Sequence, residues 1–322
     1  MLAEETPRAV FATEVRQQLE RIEAGLLQAA EGNTPLVTQA AQHIIAAGGK
    51  RFRPLLVVLA SRCGPRSAPE DVVRSAVVVE LTHVGSLYHD DVMDEAQLRR
   101  GSVSANARWE NTVAILVGDY LFARASEVVA ELGPEFVRIQ AQTFARLVHG
   151  QIAETVGPGE ADPLEHYLQV VADKTGSLIA TSAVFGAKLA GAEPAVQQAL
   201  AEFGEEIGIV FQLSDDIIDI TSDETGKTPG TDLREGVPTL LARQSTDPAD
   251  ARLHALLDSD LSEEGALTEV LTLLRRHPAV DSARAEVSRR AERARGLLAP
   301  LPPGPARDAL EELCDSVVTR TA

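Results

Sequence analysis

The sequence predicts an all-α fold, a single large helical domain over residues 1–322, and three observations lead there. Aromatic residues make up only 4% of the chain, while Ala, Leu, Val and Glu are plentiful, a bias that favours helix over sheet. Glycine and proline gather at a few points: Gly48-Gly49, Gly64-Pro65, Gly133-Pro134, Gly157-Pro158-Gly159, Gly191 and the stretch 226–236. Between these breakers run segments of about 15 to 28 residues whose apolar side chains recur at steps of three and four, the spacing of one helix face. The length alone would allow two domains, but no shift of composition marks a boundary.

The first clear helix runs from Pro69 to Glu95. Pro69 suits a first helical position, and Glu70 and Asp71 suit the positive end of the helix dipole. Val72, Val73, Ala76, Val79, Glu80, His83, Leu87 and Asp90 then follow at helical steps. The run Val77-Val78-Val79 has strand composition, but it sits inside this longer pattern. Segments 104–132, 134–156, 164–190 and 194–221 read the same way. Segment 176–192 has few polar residues and is expected to be buried. From about residue 250 the segments are amphipathic and rich in Ala, Arg and Glu. Pro300 to Pro305 forms a turn before a last helix at 306–319.

The net charge of −18 gives a surface that repels nucleic acid and anionic lipid, so no nucleic-acid partner is expected. It also makes any local basic cluster worth explaining. Two cysteines far apart, Cys63 and Cys314, point to small core residues and not to a disulfide framework or zinc site. The start of the chain lacks the basic and apolar stretches of a signal peptide. No apolar run is long enough to span a bilayer, so no integral membrane segment is expected. The expected location is cytoplasmic.

One acidic pattern occurs twice: Asp90-Asp91-Val92-Met93-Asp94 and Asp215-Asp216-Ile217-Ile218-Asp219. Each copy lies near the end of a long predicted helix. At about 100° per residue, the three aspartates of a copy fall within an arc of roughly 100°. Like charges that close repel by roughly 4 kcal/mol per pair at an intermediate dielectric. Anions near a helix C-terminus also oppose the dipole. The second copy is flanked by Phe211, Leu213, Ile217, Ile218 and Ile220, which adds a desolvation cost. A hard divalent cation relieves all three. Magnesium does so with one or two carboxylates, substrate phosphates and water. One copy alone would read as a solvated acidic face; two copies in matching apolar contexts do not.

A diphosphate substrate would also need cations, and they lie close by. Arg99-Arg100-Gly101 follows the first cluster, Gly48-Gly49-Lys50-Arg51-Phe52-Arg53 sits between helices, Lys174-Thr175 interrupts an apolar helix, and Lys227 follows the second cluster. Arginine grips phosphate oxygens with two prongs, and lysine acts as a point charge. Taken singly, each is ordinary: a surface triplet, a helix stop, an ion pair with Asp173 or an acid one turn away. His83 and His89 can likewise be read as satisfied core histidines. Together they form the set of cations that a diphosphate requires.

The motifs GGKRFRP, HVGSLYHDDVMDEAQLRRG, GDYLFARA, DKTGSL, FQLSDDIID and GKTPGTDLREGVPTL resemble, in content and order, those of the trans-isoprenyl diphosphate synthases, or polyprenyl synthetases. The resemblance is strong over about residues 35–245. It implies the isoprenoid-synthase fold, a helical bundle around a deep central cavity, working as a homodimer. It implies head-to-tail condensation of isopentenyl diphosphate with an allylic diphosphate, with magnesium as cofactor, roughly three ions bridging to diphosphate. Carried over residue by residue, Lys50, Arg53, His83 and Arg100 resemble the isopentenyl diphosphate site. Arg99, Lys174, Thr175, Gln212 and Lys227 resemble the allylic site. Asp90, Asp94 and Asp215 resemble the metal ligands, with Asp91, Asp216 and Asp219 in support. In the implied mechanism the allylic carbon–oxygen bond ionises and the isopentenyl double bond attacks the cation. A proton then leaves to the released diphosphate.

In this family, residues one turn before the first cluster act as a ruler for product length. Here they are Gly85 and Ser86, both small. Short-chain members carry an aromatic residue there, or an insertion in the cluster, and this sequence has neither. The expected product is therefore on the order of C30 to C50. Tyr120, Phe122 and Phe144 are the candidates for a deeper floor. A short-chain (farnesyl or geranylgeranyl) synthase is the alternative. A terpene cyclase would carry a different second metal motif, and a non-catalytic subunit would have lost an aspartate cluster.

Overall fold

The computed structural model describes residues 7–221, 230, 233, 250–257, 259, 261 and 264–320. Lys227 and most of the motif around it lie outside the described residues. The elements run α1 (Pro7–Ala29), α2 (Pro35–Ala46), α3 (Phe52–Ala60), α4 (Pro69–Met93), β1 (Leu98–Arg99), β2 (Ser102–Val103), α5 (Ala105–Ala130), α6 (Pro134–Val156) and α7 (Pro163–Val171). A π-helical turn (Ala172–Gly176) leads into α8 (Ser177–Leu189) and α9 (Pro194–Thr221). After these come α10 (Ala251–Leu257), α11 (Glu264–Leu274), α12 (Ala279–Leu297) and α13 (Pro305–Thr319). The all-α reading holds, with one small hairpin added.

Proline opens many of these helices, where its missing N–H costs nothing. Thr34 and Asp162 cap α2 and α7 just before such prolines; Asp162 accepts from Leu164 N at 3.0 Å and Glu165 N at 2.9 Å. Two expected helices are less regular than their periodicity implies. Segment 164–190 contains the π turn. Segment 105–130 is broken at Glu110, whose φ of 68° is not helical, and no glycine or proline announces that break.

The described residues fall into two compact units. The first comprises Met1–Ala145, Leu178–Gly204 and Leu298–Leu310. In it α4 packs against α1, α3 and α5. Val77, Val78 and Val79 are buried on α4 as helix, together with Leu81, Val84 and Tyr88. Leu178, Ile179, Ala183 and Phe185 of α8 are also buried, as the low polarity of that segment requires. Each large apolar side chain so buried contributes roughly 1.5–3 kcal/mol.

The second unit comprises Arg146–Ser177, Glu205–Leu297 and Glu311–Ala322. Ile207, Val210, Leu213, Ile217 and Ile220 of α9 and Val270, Leu274, Ala283 and Val287 of α11 and α12 are buried in it. Cys63 and Cys314 are buried, and burial raises their thiols to about 12 and about 11. Both are core residues. Among the described residues, no helix is long and apolar enough to cross a membrane.

Candidate active site

In the first unit, α4 ends at Met93 with Asp94 as its cap. Asp90 and Asp94 are half-buried, whereas Asp91 is fully buried. The Asp91 Oδ1 atom accepts a hydrogen bond from Arg99 Nε at 2.5 Å. Its Oδ2 is buried and makes no hydrogen bond among the described residues. Burial raises the Asp91 carboxyl above its usual range, and the charge and hydrogen bond of Arg99 oppose that shift. Asp91 is thus enclosed, and the two outer aspartates face less enclosed surroundings.

The hairpin explains how two adjacent arginines reach different places. Arg100 and Gly101 form its turn with φ of 53° and 76°. Positive φ at both central residues is the type I′ geometry that matches strand twist. Arg99, on β1, meets Asp91. Arg100 crosses to the loop after α2, where its guanidinium donates to the Gly48 carbonyl and to the Ile44 carbonyl at 3.0 Å. A side chain at Gly49 would come within 3.0 Å of that guanidinium, so glycine makes room for it.

Arg53 and His83 lie in the same charged surroundings. The Arg53 Nε is buried without a hydrogen bond among the described residues. Burial pulls the Arg53 guanidinium down to about 10; Glu80 opposes this and Arg100 adds to it. His83 is held well below its usual range by burial and then by the charges of Arg53, Arg100, Arg99 and Arg51, so it stays neutral. Such a concentration of positive charge calls for an anion.

The ruler positions are less open than their size implies. Gly85 is buried, and a Cβ there would meet the Phe122 ring at 3.1 Å. Phe122 lies 4.4 Å from Phe144, centroid to centroid. Ser86 is half-buried and donates to the His83 carbonyl at 2.8 Å. Tyr120 points elsewhere, with its hydroxyl on the Glu31 carbonyl at 2.5 Å. His89 packs on α5, 3.1 Å from the Ile115 carbonyl, edge-on to Phe122.

In the second unit, Asp216 is buried while Asp215 and Asp219 are half-exposed. Both Asp216 oxygens are satisfied: Tyr167 Oη donates to one, and Gln212 Nε2 to the other at 3.1 Å. Thr175 donates to Gln212 Oε1 at 3.3 Å, which joins an allylic-site candidate to the second cluster. The π turn carries Lys174 and Thr175. Such one-residue expansions of a helix recur at functional sites. Lys174 pairs with Glu154 of α6 at 2.6 Å, not with Asp173. Asp173 is held by Arg146, which also grips Glu205 at 2.8 and 3.0 Å. Arg320 pairs with Asp215 and lies over the Phe211 ring.

A sequence profile described as polyprenyl synthetase matches residues 34–274. The chain belongs to the polyprenyl synthetase family. It is 47% identical over 318 residues to a nonaprenyl diphosphate synthase of Mycobacterium tuberculosis, covering 97% of this chain and 95% of that one. It superposes with a TM-score of 0.88 on a decaprenyl diphosphate synthase from Rhodobacter capsulatus, at 31% identity, over 98% of this chain and all of the other. A geranylgeranyl pyrophosphate synthase from Corynebacterium glutamicum, crystallised with calcium and isoprenyl diphosphate, gives 0.86 at 42% identity over 97% of both chains.

Within this polyprenyl synthetase, the described site residues form two groups, one per unit. Arg53, His83, Asp90, Asp91, Asp94, Arg99 and Arg100 belong to the first, as does Lys50; Lys174, Thr175, Gln212, Asp215, Asp216 and Asp219 belong to the second. Residue-by-residue reading missed Arg51, Glu80, Arg146, Glu154, Tyr167 and Arg320. Arg51 and Glu80 left a signal, Arg51 inside the basic motif that holds Lys50 and Arg53, and Glu80 as a carboxylate in the buried row of α4 that also holds His83.

Proposed function

We propose that this polyprenyl synthetase condenses isopentenyl diphosphate head-to-tail with an allylic diphosphate to give an all-trans product on the order of C30 to C50. It is a trans-prenyltransferase. The observation that carries the reading is the presence, in one compact unit, of a half-exposed aspartate pair and of under-compensated guanidinium groups at Arg53 and Arg100. Lys50, Arg53, Arg100 and neutral His83 bind the isopentenyl diphosphate. Lys174, Thr175, Gln212 and Arg99 bind and orient the allylic diphosphate, with Lys227 joining them.

The carboxylates fit a divalent metal, and magnesium is the one proposed. Among the described residues, no group of three His, Cys, Asp or Glu side chains forms a ready-made cage. That suits an ion that completes its shell with phosphate and water. Asp90 and Asp94 would hold such ions at the first cluster and Asp215 at the second, with Asp91, Asp216 and Asp219 in support. When bound, these ions would stabilise negative charge on the departing diphosphate.

Phe122, backed by Phe144, is proposed as the side chain that limits the product, because it lies against Gly85. The family match draws on residues of both units, which supports a single functional domain over 1–322. A homodimer is proposed as well; the exposed apolar pair Ile115 and Leu116 on α5 supports it, and sedimentation would check it.

The test is to supply labelled isopentenyl diphosphate and farnesyl diphosphate, with and without magnesium, and to size the products. Magnesium-dependent chains of thirty or more carbons are expected. Recovery of only fifteen- or twenty-carbon material would overturn the length assignment. Phe122→Ala is expected to lengthen the product and Ser86→Phe to shorten it.

A further inference from the structure

Arg51 stands between the two cations of the motif assigned to substrate, Lys50 and Arg53, yet its own guanidinium is spoken for. It donates to both oxygens of Glu23 on α1 at 2.7 Å, to Glu80 of α4 at 3.0 Å, and to the Ile45 carbonyl at 2.8 Å. The anchoring holds Arg51 in the left-handed region, at φ 48°, which an arginine seldom occupies. Strain of this kind persists only where the surroundings over-determine it.

Glu80 is the residue that makes this arrangement informative. It is 2% exposed, and three guanidinium groups act on it. Arg51 contacts it at 3.0 Å, Arg100 stands off at 3.9 Å, and Arg53 feels only its charge. A buried carboxylate takes the partner that offers the best geometry. Here Arg51 is that partner. Glu23, 40% exposed, pairs with the opposite edge of Arg51.

The result is a division of labour among neighbouring cations. In Arg51, burial works against the charge, but Glu23 and Glu80 outweigh it and the guanidinium is stabilised. In Arg53 and Arg100 burial wins. We propose that Arg51 is a positioning residue for the isopentenyl diphosphate site: by holding the Glu80 carboxylate, it keeps that carboxylate from neutralising Arg53 and Arg100, and so leaves both for the substrate diphosphate. The inference rests on the assignment of Arg53 and Arg100 to isopentenyl diphosphate.

The experiment is a double-mutant cycle read on the two substrates separately. Arg51→Gln releases Glu80 to pair with Arg100 or Arg53. The KM for isopentenyl diphosphate is expected to rise about tenfold, with kcat and the allylic KM within about twofold of the starting enzyme. Adding Glu80→Gln removes the competing anion and is expected to bring the isopentenyl KM back to within about threefold, even if the protein melts at a lower temperature. Such rescue is not expected of a residue that only props up the fold.

An unchanged isopentenyl KM in Arg51→Gln, an equal rise in both KM values, or failure of the second substitution to rescue would each overturn the proposal. If Arg51→Gln does not fold, Glu23→Gln loosens the same grip from the solvent side. A smaller rise in the isopentenyl KM alone is then expected, and no rise would overturn it. The unsubstituted enzyme separates the two ideas. If it does not consume isopentenyl diphosphate, the assigned reaction fails. If it does and the cycle shows no coupling, only the role of Arg51 fails.

Discussion

At the end of α4 the middle aspartate of the repeated pattern is closed in by a single arginine; at the end of α9 it is closed in by a tyrosine and a glutamine. Asp91 has one oxygen on Arg99 and the other unpartnered among the described residues, whereas both oxygens of Asp216 are satisfied. The neighbourhoods also differ in charge. Around α4, Arg53, Arg100 and Arg99 crowd one another, with Glu80 largely committed to Arg51. In the α9 unit each of Lys174, Arg146 and Arg320 has a carboxylate at contact distance. The same five-residue motif thus supports two electrostatic designs. One is charged in advance for an anion. The other holds its cations on resident carboxylates that an arriving diphosphate would have to replace.

The comparison breaks most visibly at the outer aspartates, which both ends share. Asp94→Ala and Asp215→Ala are each expected to lower turnover by about 10²- to 10³-fold, the scale seen when a group stabilising transition-state charge is removed. Melting temperatures are expected to change little, since Asp94→Ala takes away a like charge and the part-exposed pair of Asp215 with Arg320 is worth at most about 1 kcal/mol. A comparable loss in one cluster with none in the other would show that only one end binds metal.

A smaller effect sharpens the contrast between the middle residues. Asp216→Ala removes two hydrogen bonds, those from the Tyr167 hydroxyl and the Gln212 amide, a cost of about 1–3 kcal/mol. Asp91→Ala frees Arg99, which is 28% exposed and can turn to water, and the Ala105 N–H, and also removes a costly buried charge. It is expected to cost less than about 1 kcal/mol. Urea unfolding of the two variants decides the order.

Much of this was legible in the chain, and the reason is periodicity. The row that includes Leu81, Val84 and Tyr88 reaches Asp91 at steps of three and four, so the apolar pattern of α4 already places that aspartate on the buried face. Ile209, Leu213 and Ile220 do the same for Asp216. What periodicity cannot give is the partner of a buried charge. Glu154 lies 20 residues from Lys174, and Glu80 lies 29 from Arg51. Both pairings are products of packing. The π turn was likewise hidden, because one extra residue in a helical run leaves the apolar spacing almost intact. Gly85 was read as free space from its size alone, but the ring of Phe122 occupies that space.

A last effect, read against pH, tests whether the surroundings that keep His83 neutral are real. His83 is held neutral by burial and by four arginines, and its folded pKa lies well below the ordinary 6.5. An unfolded chain therefore binds a proton at His83 at a pH where the folded chain does not. Stability from this group is present above pH 6.5 and falls as the pH drops from there toward the folded value. The slope is at most about 1.4 kcal/mol per pH unit. In His83→Gln that slope should vanish, so urea midpoints of the two proteins should converge between pH 7 and pH 5. If they stay parallel, His83 is not held neutral by burial and the guanidinium groups around it, and the contrast in charge between the ends of α4 and α9 loses this support.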